Sequence, residues 1–298
     1  MMITSYGLMA AAALACMLAI AGLWCARHKL GYGVWIRQIV CTIPLSFLFS
    51  RLLFAIFALA NGDMTSPVQA LYFWDGGASI TGAFIGAVVG AALAETWCKV
   101  PRALLLDGVA LGAPLALVIE RLSEYPVDMG IGRVVDTEWL YFLGDATDGR
   151  HPVFLYEAII AFVILLVLLR FATRKGGVKH HGDVLLMFMT LYGCSQTVME
   201  SLRDDAHMVI YFIRLNQIAA LIMAVIAFVI WTVRWVRKGT KIPQVIVACV
   251  VVIAAIAQGV MQEFAVDSNP NLLLEYAIMA LCLAVIAAVS LIVRKKAE

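Results

Sequence analysis

Charged residues are scarce in this chain. Only 14% of its 298 residues are Asp, Glu, Lys or Arg, where a soluble domain of that length keeps roughly a quarter. That scarcity excludes an ordinary soluble domain. Paired metal-ligand spacings are missing as well. The seven cysteines (Cys16, Cys25, Cys41, Cys98, Cys194, Cys249 and Cys282) are scattered, mostly inside apolar runs, with no CxxC or CxxH pair. Neither a disulfide framework nor a metal site is indicated, and small apolar packing residues are expected instead. The sequence has no evident internal repeat, low-complexity tract or soluble domain. No metal, organic cofactor or nucleic-acid partner is expected.

What is present is apolar: 63% hydrophobic residues and a mean hydropathy of +0.93. A bilayer core of about 30 Å takes about 20 apolar residues per helix. Runs of that kind number about nine, centred near Ala13, Phe47, Ile85, Ala113, Ile164, Thr190, Ala224, Ile253 and Ala284. The first, Tyr6 to Trp24, lacks the basic leader and small-residue cleavage site of a signal peptide and is read as a retained span. Loops alternate in charge. Arg27, Lys29 and Arg37, then Lys99 and Arg102, then Arg170 to Lys179, Arg234 to Lys241 and Arg294 to Lys296 fall on one side. Acids such as Asp63, Asp75, Asp128, Asp136, Glu138, Asp204 and Asp267 fall on the other. The positive-inside rule makes the basic side cytoplasmic. The expected fold is therefore all-α, a polytopic transmembrane bundle with its N-terminus outside and its C-terminus cytoplasmic. In the loop from Tyr125 to Pro152, Trp139, Tyr141 and Phe142 predict a segment resting on the membrane surface.

Ionisable side chains inside spans are expensive, and each is a functional candidate by default. Arg51 lies in the second span, Glu120 and Arg121 end the fourth, and His151, Tyr156 and Glu157 open the fifth. Tyr192, Gln196, Glu200 and Arg203 step by four, four and three residues, which places them on one face of the sixth span. Simpler roles exist for some of them. Glu200 and Arg203 make an i, i+3 pair, and Glu157 suits an interhelical hydrogen bond. Arg51 and Arg121 need a carboxylate, phosphate or carbonyl at membrane depth. Gly82, Gly86 and Gly90 recur every four positions, a spacing that lets helices approach closely. Gly76 and Gly77 at that span's entrance offer backbone to a ligand.

These stretches resemble a family. "SYGLM" (5–9), "SRLLFAIF" (50–57), "DGGASITGAFIG" (75–86), "ERLSEY" (120–125), "HPVFLYEA" (151–158) and "LYGCSQTVMESLRDD" (191–205) follow the order and spacing of prolipoprotein diacylglyceryl transferases. The resemblance runs from about Tyr6 to Trp231 and includes Gln217; the last two spans lie beyond it. It divides the chain into a transferase-like domain, 1–235, and two additional helices, 236–298. It retains Tyr6, Arg51, Arg121, His151, Pro152, Tyr156, Glu157, Tyr192, Gly193, Glu200 and Arg203. It departs at Thr81, where the family has histidine, at Ser123-Glu124-Tyr125, where it has Gly-Asn-Phe, and at Gln196, where it has arginine.

The resemblance implies transfer of a diacylglyceryl group from phosphatidylglycerol to the cysteine of an exported prolipoprotein, at the outer face of the bacterial inner membrane. Such a reaction needs a thiolate, from a group with a pKa of about 8.5, and donors for a departing glycerol phosphate. The implied roles place phosphate binding on Arg121, aided by Arg51 or Arg203. Tyr6, Tyr156 and Tyr192 donate hydrogen bonds, and Glu157 and Glu200 orient the arginines. His151, Glu124 and Glu157 are the candidate bases. Gly76, Gly77, Thr81, Gly82 and Gln196 complete the expected substrate contacts. Two alternatives stand beside this reading: a related enzyme using a less anionic lipid, and a non-catalytic lipid-binding protein on the same scaffold.

Overall fold

The computed structural model describes residues 5–127, 129–134, 149–204, 209–210, 213–239, 242–268 and 272–298. Within them lie nine long helices: α1 (Ser5–Arg27), α2 (Tyr32–Asn61), α3 (Ile80–Cys98), α4 (Arg102–Glu124), α5 (Val153–Thr173), α6 (Asp183–Leu202), α7 (Leu215–Arg237), α8 (Ile242–Ser268) and α9 (Leu272–Ala297). Each expected span centre falls inside one of them. Eight are long and apolar enough to cross a bilayer. The exception is α6, whose polar residues dilute its hydropathy. The expected interfacial segment with Trp139, Tyr141 and Phe142 lies outside the described residues.

Local chemistry sets several helix ends. Gly62 closes α2 at φ 84°, and Lys99 closes α3 in the left-handed region at φ 57°. Pro101 then follows, as is common after a C-cap. Pro152 stands at the N-cap position of α5, with no side-chain capping bond. Outward faces stay apolar: on α5, Phe162 is 50% and Val163 52% exposed. In water such surface would be a liability; in acyl chains it is the ordinary lining of a span. The protein is a multi-pass membrane protein.

The chain forms two compact units. One holds residues 14–116 and 180–185. Here α2 and α3 pack backbone to backbone. A methyl group added at Gly86 would lie 2.3 Å from the Leu45 carbonyl oxygen, and one at Gly82 2.4 Å from that of Phe49. The four-residue glycine spacing is thus a packing ridge. Trp24 Nε1 and Gln38 Nε2 donate to the carbonyls of Leu104 and Leu105. Asp107, fully buried, accepts from the backbone N–H of Gly182 (2.7 Å) and Leu185 (2.9 Å) and so caps the start of α6.

The other unit holds residues 1–13, 117–179 and 186–298. In it α6 and α7 touch through Gly193, where a Cβ would lie 2.4 Å from the Ala220 carbonyl oxygen. Residues 129–134 thread between the end of α6 and the start of α5. Gly132 N–H donates to His151 O at 2.7 Å, Arg133 N–H to Leu202 O at 3.0 Å and Asp204 N–H to Ile131 O at 3.2 Å. Ladder bonds of this kind hold the ends of α5 and α6 side by side.

Candidate active site

In the unit with α5 to α9, buried charges from three helices converge. Glu157 of α5 is the hub. Its Oε2 receives Arg121 Nε from α4 at 3.0 Å and Nη1 of Arg203, just past the end of α6, at 2.8 Å. Its Oε1 accepts from Gln196 Nε2 at 2.6 Å. The four-, four- and three-residue stepping along α6 aims Gln196, Glu200 and Arg203 inward together. Gln196 Nε2 also reaches Glu200 Oε1 at 3.1 Å, joining the two carboxylates through one neutral amide. Arg214, just before α7, closes the far side. Its Nη1 lies 4.0 Å from Glu200 Oε2, and its Nη2 donates to the Arg203 carbonyl at 2.6 Å.

Glu124 completes the cluster. Its Oε1 pairs with Arg121 Nη1, while its Oε2 is buried without a hydrogen-bond partner, with Arg203 Nη2 3.5 Å away. Gly130, at φ +70°, makes that seat possible: a Cβ there would stand 2.2 Å from Glu124 Oε2. Glu124, Glu157 and Arg203 are each 4% exposed and Arg121 is 7% exposed. Such charges persist only in mutual compensation, since removing one partner of a buried pair costs about 3–5 kcal/mol.

A recess of about 10 Å³ adjoins the cluster, room for about one water molecule. Arg121, Glu157, Tyr192, Gln196 and Ser195 give it a polar wall, and Leu117, Ile160, Ala161 and Met199 an apolar one. Tyr6 lies within electrostatic range of Arg121, Arg203, Glu120 and Glu124. His151 Nδ1 sits 3.3 Å from the Tyr156 hydroxyl, and the two rings meet edge-on. No group of three or more His, Cys, Asp or Glu among the described residues is arranged to hold a metal.

The remaining candidates belong to the other unit. Arg51 is 5% exposed, and all five of its N–H groups are taken by backbone carbonyls. Nε donates to Ala70 O at 2.9 Å, Nη1 to Gly76 O and to Gly77 O at 2.9 Å, and Nη2 to Gln69 O at 3.0 Å and Tyr72 O at 2.8 Å. Arg51 therefore organises the 69–77 loop, and its fork is filled by that loop. Gly76 and Gly77, at φ 75° and 81°, supply carbonyls to it. Thr81 lies in the first turn of α3, beside the N-cap Ser79, and Gly82 lies against α2.

The family model described as prolipoprotein diacylglyceryl transferase matches residues 1–233. The chain belongs to the prolipoprotein diacylglyceryl transferase family. Curated phosphatidylglycerol–prolipoprotein diacylglyceryl transferases are similar to it along much of their length. That of Methylocella silvestris is 31% identical over 189 residues, covering 63% of this chain and 70% of its own. That of Clostridium novyi is 30% identical over 199 residues, covering 64% and 76%. That of Symbiobacterium thermophilum is 28% identical over 244 residues, covering 77% and 88%. The match to the diacylglyceryl transferase family stops inside α7, so α8 and α9 lie beyond it.

Sequence reasoning missed three acceptors and donors that the structure uses. Asp107 caps α6, Glu263 of α8 accepts from Gln217 Nε2 at 2.9 Å, and Arg214 braces Arg203. The rule that flags acids inside spans also covers Asp107 and Glu263. Arg214 sits in a short strand beside a helix start and carries no such signal.

Proposed function

We propose that this protein moves a diacylglyceryl group from phosphatidylglycerol to the cysteine thiol of an exported prolipoprotein, in the bacterial plasma membrane. The convergence of Arg121 and Arg203 on Glu157, beside a recess also lined by Tyr192 and Gln196, carries the reading. Two guanidinium groups held side by side match the oxygens of a phosphate.

The recess as it stands is too small for a phosphate group. Donor binding therefore exchanges partners: the phosphate takes the place of the Glu124 carboxylate on Arg121. Glu157 keeps both arginines in register during the exchange. The released Glu124 carboxylate, whose Oε2 already lacks a hydrogen bond, takes the proton from the cysteine thiol. The thiolate then forms a carbon–sulfur bond at the glycerol carbon. The carbon–oxygen bond to phosphate breaks with its electron pair remaining on the phosphate oxygen, and glycerol phosphate departs with that charge held by Arg121 and Arg203. Tyr192 and Tyr6 donate hydrogen bonds to the leaving oxygens, a role supported by the place of Tyr192 at the recess wall. His151, paired with Tyr156, lies at the entrance of α5.

A second reading concerns the donor. Each arginine of the cluster already faces a carboxylate, and Gln196 adds a donor without charge. That balance favours a headgroup less anionic than phosphatidylglycerol. The test is purified protein with a lipobox peptide and either labelled phosphatidylglycerol or a labelled zwitterionic phospholipid, scored for thioether product. Product from phosphatidylglycerol supports the first reading, and product from the zwitterionic lipid alone supports the second. No product from either refutes both and leaves lipid binding without catalysis.

A further inference from the structure

The two helices beyond the family match reach the polar face of α6 from behind. Glu263 of α8 is 6% exposed, and its Oε2 accepts from Gln217 Nε2 at 2.9 Å. The same Gln217 nitrogen lies 3.2 Å from the Thr197 carbonyl of α6. One turn on, the Tyr276 hydroxyl of α9 donates to the Ser201 carbonyl at 3.0 Å. The stretch between those two anchors carries Glu200, and Arg203 follows it.

An acid buried in an apolar helix needs a reason, because leaving it in lipid is costly. Among the described residues, Gln217 supplies the hydrogen bond of Glu263. That amide has a single nitrogen facing two acceptors, and its orientation is set by the carboxylate, the stronger of them. With Glu263 in place, Gln217 is turned to hold the Thr197 carbonyl. The turn that carries Glu200 is then fixed against α7, and with it Gln196 and its bond to Glu157.

We propose that Glu263 is a positioning residue for the α4–α6 charge cluster, contributed by helices that the family match does not include. The inference rests on the reading of that cluster as the active site. Its structural half, the bracing of residues 197–203, is measurable without any turnover.

The experiment uses the full-length protein in detergent micelles and compares Glu263→Ala, Glu263→Gln and the parent. Hydrogen exchange is followed in peptides spanning 197–203, and kcat and KM are measured with phosphatidylglycerol and a lipobox peptide. Glu263→Ala is expected to exchange faster there and to lose on the order of ten- to a hundredfold in kcat, since a 1 Å misplacement can cost about a hundredfold. Its KM should stay within about twofold. Glu263→Gln keeps an acceptor for Gln217 and is expected to restore both readouts. Exchange unchanged in Glu263→Ala overturns the brace. Faster exchange with unchanged kcat overturns its role in positioning. Faster exchange in Glu263→Ala, with no turnover even in the parent, supports the brace and refutes the transferase reading instead.

Discussion

Arg203 Nη1 lies 2.8 Å from Glu157 Oε2, and each residue is 4% exposed. This contact ties the end of α6 to α5 where burial makes either charge costly alone. Glu157 also holds Arg121 of α4, so one carboxylate bridges two guanidinium groups and shares their neutralisation with Glu124. Glu157→Gln keeps the shape and removes the charge. It should destabilise the protein by about 3–5 kcal/mol, seen as a lowered thermal midpoint in detergent and reduced membrane abundance. A midpoint equal to the parent's would show that the hub is dispensable.

Arg121 is expected to answer differently. A lysine ammonium cannot reproduce a planar fork that reaches Glu124 and Glu157 from separate nitrogens. Arg121→Lys keeps the positive charge, so the protein should still accumulate in the membrane. Turnover should fall by about a hundredfold, or roughly 3 kcal/mol of transition-state stabilisation. Near-normal turnover, measured alongside abundance, would remove Arg121 from phosphate binding.

For Glu124 the separating variant is Glu124→Gln. General-base catalysis is worth about 10²–10⁴-fold in rate, and an amide cannot supply it. Loss of that order, with little change in KM for the lipid, is the expected result. Retained turnover would return the role of base to His151, which Ala substitution at that position would then reveal.

Packing yields a prediction independent of chemistry. Gly193→Ala would put a methyl carbon 2.4 Å from the Ala220 carbonyl oxygen on α7. The helices must part, at a cost of about 1–3 kcal/mol. A lowered thermal midpoint without selective loss of kcat is expected. An unshifted midpoint would mean that α6 and α7 sit farther apart than described.

Topology can be checked by labelling. A single reactive cysteine at Lys175, in a background stripped of native cysteines, should react with an impermeant maleimide only after the cytoplasmic face is exposed. Labelling of intact cells from outside would reverse the orientation and place the charge cluster's end of α6 on the wrong side for exported substrates.

The span pattern was legible because apolar runs of membrane length depend on composition alone, and no tertiary partner is needed to see them. The inward stripe of α6 was legible for the same reason, since helical periodicity is local. Partner choice was not. Arg51 calls for an acceptor at depth, yet the sequence does not distinguish five backbone carbonyls from a phosphate, because every residue carries a carbonyl. Gln196 reads as a cation lost from a family pattern; in the structure it is a bridge between Glu157 and Glu200. Glu263 lies in a helix outside the resemblance, and nothing local to that helix names Gln217 of α7 as its partner.

The cap that Asp107 places on the start of α6 bears on how the chain is made. Of the nine long helices among the described residues, α6 alone is not apolar enough by composition to count as a span by itself. By the time it emerges, α4 has already been synthesised and holds a carboxylate ready for its first backbone amides. Membrane integration of α6 is therefore expected to depend on a helix inserted earlier. Asp107→Ala should stall at that step during biogenesis, leaving the finished enzyme's chemistry untouched in whatever fraction completes it.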